Sequence, residues 1–110
     1  MVDEACPVLV WSTWPEGPPP DEVVHRLLAE QLVACVSVGA PSVSHYRWQG
    51  QVERARECGV VMKTTSDRIA LLEARWTALH PYEVPEFLTV EAAGGSAAYL
   101  SWLRDETRGA

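Results

Sequence analysis

Apolar and polar positions change their period several times along the chain, and each change marks an element. Val8-Leu9-Val10-Trp11-Ser12 is a continuous β-prone run that predicts a mostly buried first strand. Trp14-Pro15-Glu16-Gly17-Pro18-Pro19-Pro20 follows as a stiff loop, since proline lacks an amide hydrogen and restricts the residue before it. Asp21 stands at an N-cap position. After it Val23, Val24, Leu27, Leu28 and Leu32 recur at helical spacing, predicting a first helix through Ala34 with Glu22 in its first turn and His25 on a solvated side.

The period then shortens to two. Cys35, Val36 and Val38 predict a second strand over 34–40, and Gly39-Ala40-Pro41 predicts a bend. Ser42 to Gln49 alternates as a third strand, with Tyr46 and Trp48 on one face and Val43, His45 and Arg47 on the other. Gln49-Gly50 forms a hairpin tip, where glycine supplies the positive φ of a tight turn. From Gln51 to Thr64 the chain is polar at first and apolar from Cys58 to Met62. At about 3.3 Å per residue such a strand spans roughly 46 Å, whereas a domain of this size has a radius of gyration near about 13 Å. The ribbon must bend, break or project. Projection leaves unpaired strand edges in solvent, which pairing with another subunit removes, so an intersubunit β-arm is expected. Tyr46 and Trp48 then lie in a core or a subunit interface, because two large aromatics on a bare arm make an apolar patch.

Ser66 is placed to cap a second helix with Ile69, Leu72, Trp76 and Leu79 on one face, ended by His80-Pro81. Phe87 to Val90 is a short strand, Gly94-Gly95 a turn, and Ser96 the start of a terminal helix that docks through Tyr99, Trp102 and Leu103. Without the arm, the order is the βαββαβ of a ferredoxin-like α+β sandwich, followed by a C-terminal helix. One domain spans 1–110, with 1–7 expected to be flexible and 105–110 to fray.

Composition adjusts this picture little. The 110 residues are 47% hydrophobic and 22% charged, which fits one globular domain and excludes disordered and collagen-like classes. The formal charge of −6, with Lys and Arg scattered, argues against nucleic acid and anionic membrane as partners. No apolar run reaches the roughly 20 residues of a membrane span, and the acidic start Met1-Val2-Asp3-Glu4 is unlike a signal peptide. A cytoplasmic location follows, with Cys6, Cys35 and Cys58 as reduced thiols.

Candidate chemistry is sparse. There is no G-x-S-x-G elbow, no Walker A loop and no G-x-G-x-x-G, so the chain is not expected to be an enzyme. Cys35, His45, His80, Glu83 and Glu86 can each ligate a metal, although no pair has zinc-site spacing. Two readings stand for His80: a metal ligand, or an imidazolium interacting with the dipole at a helix C-terminus. Glu83 and Glu86 likewise either ligate or pair with arginines. The segment His80-Pro81-Tyr82-Glu83-Val84-Pro85-Glu86 is stiffened by two prolines, which suits a rigid connection between elements, the favoured reading, or a binding wall.

Five short motifs in order, Leu32-Val33-Ala34-Cys35-Val36, Tyr46-Arg47-Trp48-Gln49-Gly50, Lys63-Thr64, His80 to Glu86 and Tyr99-Leu100-Ser101-Trp102-Leu103, resemble the CutA family, named for divalent-cation tolerance. The likeness runs from about Val8 to Arg104. It implies a ferredoxin-like subunit in a homotrimer built through the long hairpin, architecturally related to PII signalling proteins. It further implies a non-enzymatic role in the response to metal ions, with copper bound by some members, and of the family's metal ligands only Glu86 is matched here. The cation-response reading of this chain places a divalent cation such as copper, or a small ligand, at inter-subunit clefts through His80, Glu83 and Glu86. The chain departs from the family where some members have a first-strand cysteine, here Ser12, and a further histidine, here Leu79. The alternative is a PII-like adaptor binding a nucleotide or partner protein.

Overall fold

The computed structural model describes residues 5–108; Met1–Glu4 and Gly109–Ala110, within the terminal segments expected to be mobile, lie outside the described residues. Its elements are β1 (Pro7–Pro15), α1 (Asp21–Ala29), β2 (Cys35–Trp48), β3 (Gln51–Thr65), a 3-10 turn over Ser66–Arg68, α2 (Ile69–Leu79), β4 (Leu88–Glu91) and α3 (Ala97–Glu106). The sheet order is β2-β3-β1-β4, with antiparallel neighbours throughout. β1, α1 and β2 make a split βαβ unit with β3 inserted between its strands, and the fold is ferredoxin-like.

The core lies between one sheet face and the first two helices. Val8 and Val10 from β1, Val60 and Met62 from β3, Leu27, Leu32 and Val33 around the end of α1, and Leu72 and Trp76 from α2 form it. Cross-strand register explains the selection: Val10 pairs with Met62 and Ser12 with Val60, so alternate residues of both strands share the helix-covered face. α3 packs against β1 and β3; Ser96 caps it by accepting a hydrogen bond from the Tyr99 amide, and the Thr107 hydroxyl lies 3.1 Å from that of Thr65.

Several boundaries differ from the sequence reading. β1 continues through Trp14 and Pro15, which pair with Cys58 and Glu57; a proline is tolerated there because it ends the strand. α1 stops at Ala29 rather than Ala34. Gln31 takes φ 55°, the Leu32 amide donates to the Leu27 carbonyl at 3.0 Å and the Gln31 amide to Leu28 at 3.0 Å, a Schellman ending with glutamine in the usual glycine position. Asp21 is the first helical residue, following Pro20 at the cap. Ser66 opens the 3-10 turn, and its hydroxyl accepts from the Cys6 amide.

The predicted second and third strands are one strand, β2. Its pairing with β3 is interrupted where Gly39 and Ala40 stand opposite Gly59 alone. That extra residue reverses the side-chain alternation. Val36 and Val38, opposite Met62 and Val60, belong to the core face, whereas beyond the bulge Ser42, Ser44, Tyr46 and Trp48 share the opposite face with Glu57. The hairpin closes at Gln49 (φ 50°) and Gly50 (φ 79°), the two positive values of a type I′ turn. It does project: the molecule measures 50 × 27 × 23 Å, with a radius of gyration of 14.9 Å.

Candidate functional site

Where the base of this arm, the end of β1 and the segment between α2 and β4 meet, they enclose an open cleft of about 750 Å³. Its position follows from the end of α2. Pro81 forbids a further helical turn, and His80 leaves the helix with extended backbone (φ −80°, ψ 142°) after its amide donates to the Trp76 carbonyl. The chain from His80 to Glu86 then runs alongside β1 beyond the reach of β4.

Four hydrogen bonds, one buried and three partly buried, fix that segment. The indole N–H of Trp76 donates to the Ser12 hydroxyl at 2.8 Å, and Ser12 donates onward to the Glu86 carbonyl at 2.6 Å. His80, only 7% exposed, holds Nε2 at 2.8 Å from the Thr13 carbonyl and accepts the Tyr82 amide at Nδ1, 3.0 Å away. A carbonyl only accepts and an amide only donates, so the ring is the neutral tautomer carrying its proton on Nε2. Burial lowers the pKa of His80 below its usual 6.5, against the smaller opposing effects of the Thr13 carbonyl and the Glu57 charge. The rings of Trp14, Trp76 and Tyr82 surround it at centroid distances of 4.8 to 5.3 Å.

The floor of the cleft is Glu57, 7% exposed. Its Oε2 accepts the phenol of Tyr82 at 2.8 Å and the hydroxyl of Thr13 at 3.1 Å. Burial first, and then the hydrogen bond to Glu57 and its charge, push the Tyr82 pKa up to about 12, so the phenol stays a donor at physiological pH. Tyr46 and Trp48, 44% and 40% exposed, form the arm's side of the cleft, with Ser44 and His45 beside them. Glu83 and Glu86 stand exposed at the rim, and neither forms an ion pair among the described residues. The lining thus carries three carboxylates, one imidazole and no lysine or arginine.

The expected ligand set of His80, Glu83 and Glu86 is not assembled within the chain. His80 lies beneath the cleft with both nitrogens committed, and among the described residues no three His, Cys, Asp or Glu side chains converge as a metal site. The imidazolium reading also gives way, since burial favours the neutral ring. Tyr46 and Trp48 line the same cleft as Pro81, Tyr82, Glu83, Val84 and Glu86. Glu57 and Thr13 were not singled out by sequence reasoning, and Ser12 was noted only as standing where some family members have a cysteine. The one available signal for Glu57 is a carboxylate immediately before the apolar half of a strand.

The profile of the CutA1 divalent ion tolerance protein family matches residues 8–106. The chain belongs to this family. Membership of this family places its role in metal-ion tolerance. The divalent-cation tolerance protein CutA of Thermus thermophilus is 42% identical over 93 residues, covering 80% of this chain and 90% of that protein. The crystal structure of CutA1 from Oryza sativa superposes with a TM-score of 0.88 at 30% identity, covering 94% of this chain and 95% of the other. A structure from Archaeoglobus fulgidus, described as the periplasmic divalent cation tolerance protein CutA, gives 0.86 at 26% identity over 93% and 99%. The resemblance drawn from the five motifs therefore holds over the whole fold. In this CutA-family chain Ser12, rather than a thiol, ties Trp76 to the cleft segment.

Proposed function

We propose that this protein acts in metal-ion tolerance as a non-enzymatic homotrimer whose clefts take a cationic ligand, a divalent cation of the copper type or a small organic cation. The observation that carries the ligand class is the cleft lining: Glu57, Glu83 and Glu86 with no basic side chain, a field that concentrates cations and repels anions. Cation binding rather than catalysis suits the one buried imidazole, whose two nitrogens are already engaged.

Assembly is supported by the sheet face opposite the helices. Leu88, Trp11 and Val61 form a row across β4, β1 and β3, and Val90 and Leu9 lie in the next row. Leu88, Trp11 and Val90 are each at least half exposed. Burying such a patch is favourable by about 25 cal/mol per Å² of apolar surface. The resemblance to the family supplies the number three. A cytoplasmic setting accords with three free thiols, and cell fractionation tests it against the periplasmic description of the Archaeoglobus relative. Among the described residues no helix is long and apolar enough to cross a membrane.

A PII-like nucleotide sensor is the competing reading. A polyphosphate would face three carboxylates without a lysine or arginine, and the two-residue Gln49-Gly50 turn provides no long signalling loop. Light scattering at micromolar protein tests the assembly, and a monomer mass would refute it. Titration calorimetry with Cu(II), Zn(II) and ATP tests the ligand class. Cation binding weakened by Glu86→Gln supports it; ATP binding in place of cation binding overturns it.

A further inference from the structure

Glu57 is more than nine-tenths buried, yet both hydroxyls that reach it, Thr13 and Tyr82, donate to Oε2. Oε1 takes no hydrogen bond among the described residues, although the side chain lines the cleft. A carboxylate has roughly four acceptor positions, and no buried side-chain oxygen among the described residues lacks a partner, so Oε1 is open to the cleft, where water or a ligand donates to it. Tyr82, kept protonated by its surroundings, holds the carboxylate in place with the free oxygen available.

What could supply that donor is constrained by the rest of the cleft. Among the described residues Glu57, Glu83 and Glu86 do not converge on a single point, so they are not arranged as a metal shell. Their cleft, about 750 Å³, lies within the roughly 300 to 1,000 Å³ range of sites for small organic molecules and far exceeds one ion. The same lining includes Tyr46, Trp48 and Tyr82, whose aromatic faces attract cations and cover methylene groups.

We propose that the cleft binds an extended aliphatic polyamine in its protonated state. One ammonium donates to Glu57 Oε1, the hydrocarbon lies against Tyr46, Trp48 and Tyr82, and a second ammonium is held at the rim by Glu83 and Glu86. This assignment rests on the reading of the cleft as a cation site and narrows it to an organic cation carrying more than one charge.

The test is titration calorimetry of the intact protein at low salt with spermidine, with propylamine as a single-charge probe, and with Cu(II). Spermidine is expected to bind at least about tenfold more tightly than propylamine, because a second charge engages the rim. Glu57→Gln, which keeps the shape and a hydrogen-bonding head, and Trp48→Leu, which removes the aromatic wall, are each expected to weaken spermidine about tenfold or more. Glu16→Gln removes the same charge from an exposed ion pair with Arg56 outside the cleft lining and should leave the affinity unchanged. Circular dichroism establishes that each variant is folded. Equal losses in Glu16→Gln and Glu57→Gln would mean diffuse attraction to an acidic protein and would overturn the site. Cu(II) binding without spermidine binding overturns the polyamine assignment and leaves the divalent-cation reading standing; binding of neither removes both.

Discussion

Ser12 sits at the junction of core and cleft, and replacing its hydroxyl should show how much that junction contributes. In Ser12→Ala the Trp76 indole N–H, in a side chain with no solvent exposure, loses its acceptor at 2.8 Å, and the Glu86 carbonyl loses its donor at 2.6 Å. An orphaned buried donor costs about 1 to 3 kcal/mol, while the carbonyl belongs to an exposed residue that water can reach and adds about 0.5 to 1.5 kcal/mol. The sum is a loss of about 1.5 to 4.5 kcal/mol, or roughly 6 to 18 °C in Tm for a domain of this length. Urea unfolding followed by far-ultraviolet circular dichroism, at one fixed protomer concentration, measures it, since assembly would otherwise shift the midpoint. The reasoning makes a second, sharper demand. In a Trp76→Phe background the orphaned donor no longer exists, so Ser12→Ala should cost only about 0.5 to 1.5 kcal/mol there. A loss under about 0.5 kcal/mol in the parent protein, or the same loss in both backgrounds, would refute the account.

Three further outcomes follow from the same geometry. His80 has a folded pKa below its unfolded value near 6.5, so the unfolded chain binds more protons; stability should be full above about pH 6.5 and decline as pH falls below it. His80→Gln, compared at pH 5 and pH 8 by urea midpoint, should flatten that decline, and an unchanged pH slope would contradict the burial argument. For Tyr82 the sign is opposite. Its pKa is raised from 10.0 to about 12, so its contribution persists below about pH 10 and is lost as pH rises through 12; ultraviolet titration should show one late phenol that Tyr82→Phe abolishes. Gln31→Gly should stabilise the fold by about 0.5 to 1 kcal/mol in thermal melts, because glycine takes φ 55° without the Cβ clash, and this exceeds the extra entropy it gives the unfolded chain.

Much of the fold was written locally. Apolar runs placed β1 and the second half of β3, heptad-like spacing placed α1 and α2, Gly50 placed the hairpin tip, and Ser96 was recognisable as the cap it proves to be. The length of the Gln51 to Thr64 run sufficed to predict an arm extending beyond the domain, because rise per residue is fixed by backbone geometry. The His80 to Glu86 segment identified the family and the position of a rigid connection through its two prolines.

Other features depend on partners distant in sequence. The end of α1 is set by a left-handed glutamine, a conformation its residue type does not announce. One bulge opposite Gly59 merges two expected strands and turns Tyr46 and Trp48 away from the core face, a reversal that alternation alone cannot register because it counts residues and not pairings. Glu57 becomes a cleft residue only because Tyr82, 25 positions away, and Thr13, 44 positions away, converge on one of its oxygens. His80, the most conspicuous candidate ligand in the sequence, is instead held neutral between Thr13 and Tyr82. Propensity and spacing act between neighbours, so the sequence by itself determined the elements, their order and the family. Burial, register and the sharing of hydrogen bonds are long-range, so the choice of which carboxylate faces the cleft belonged to the tertiary structure alone.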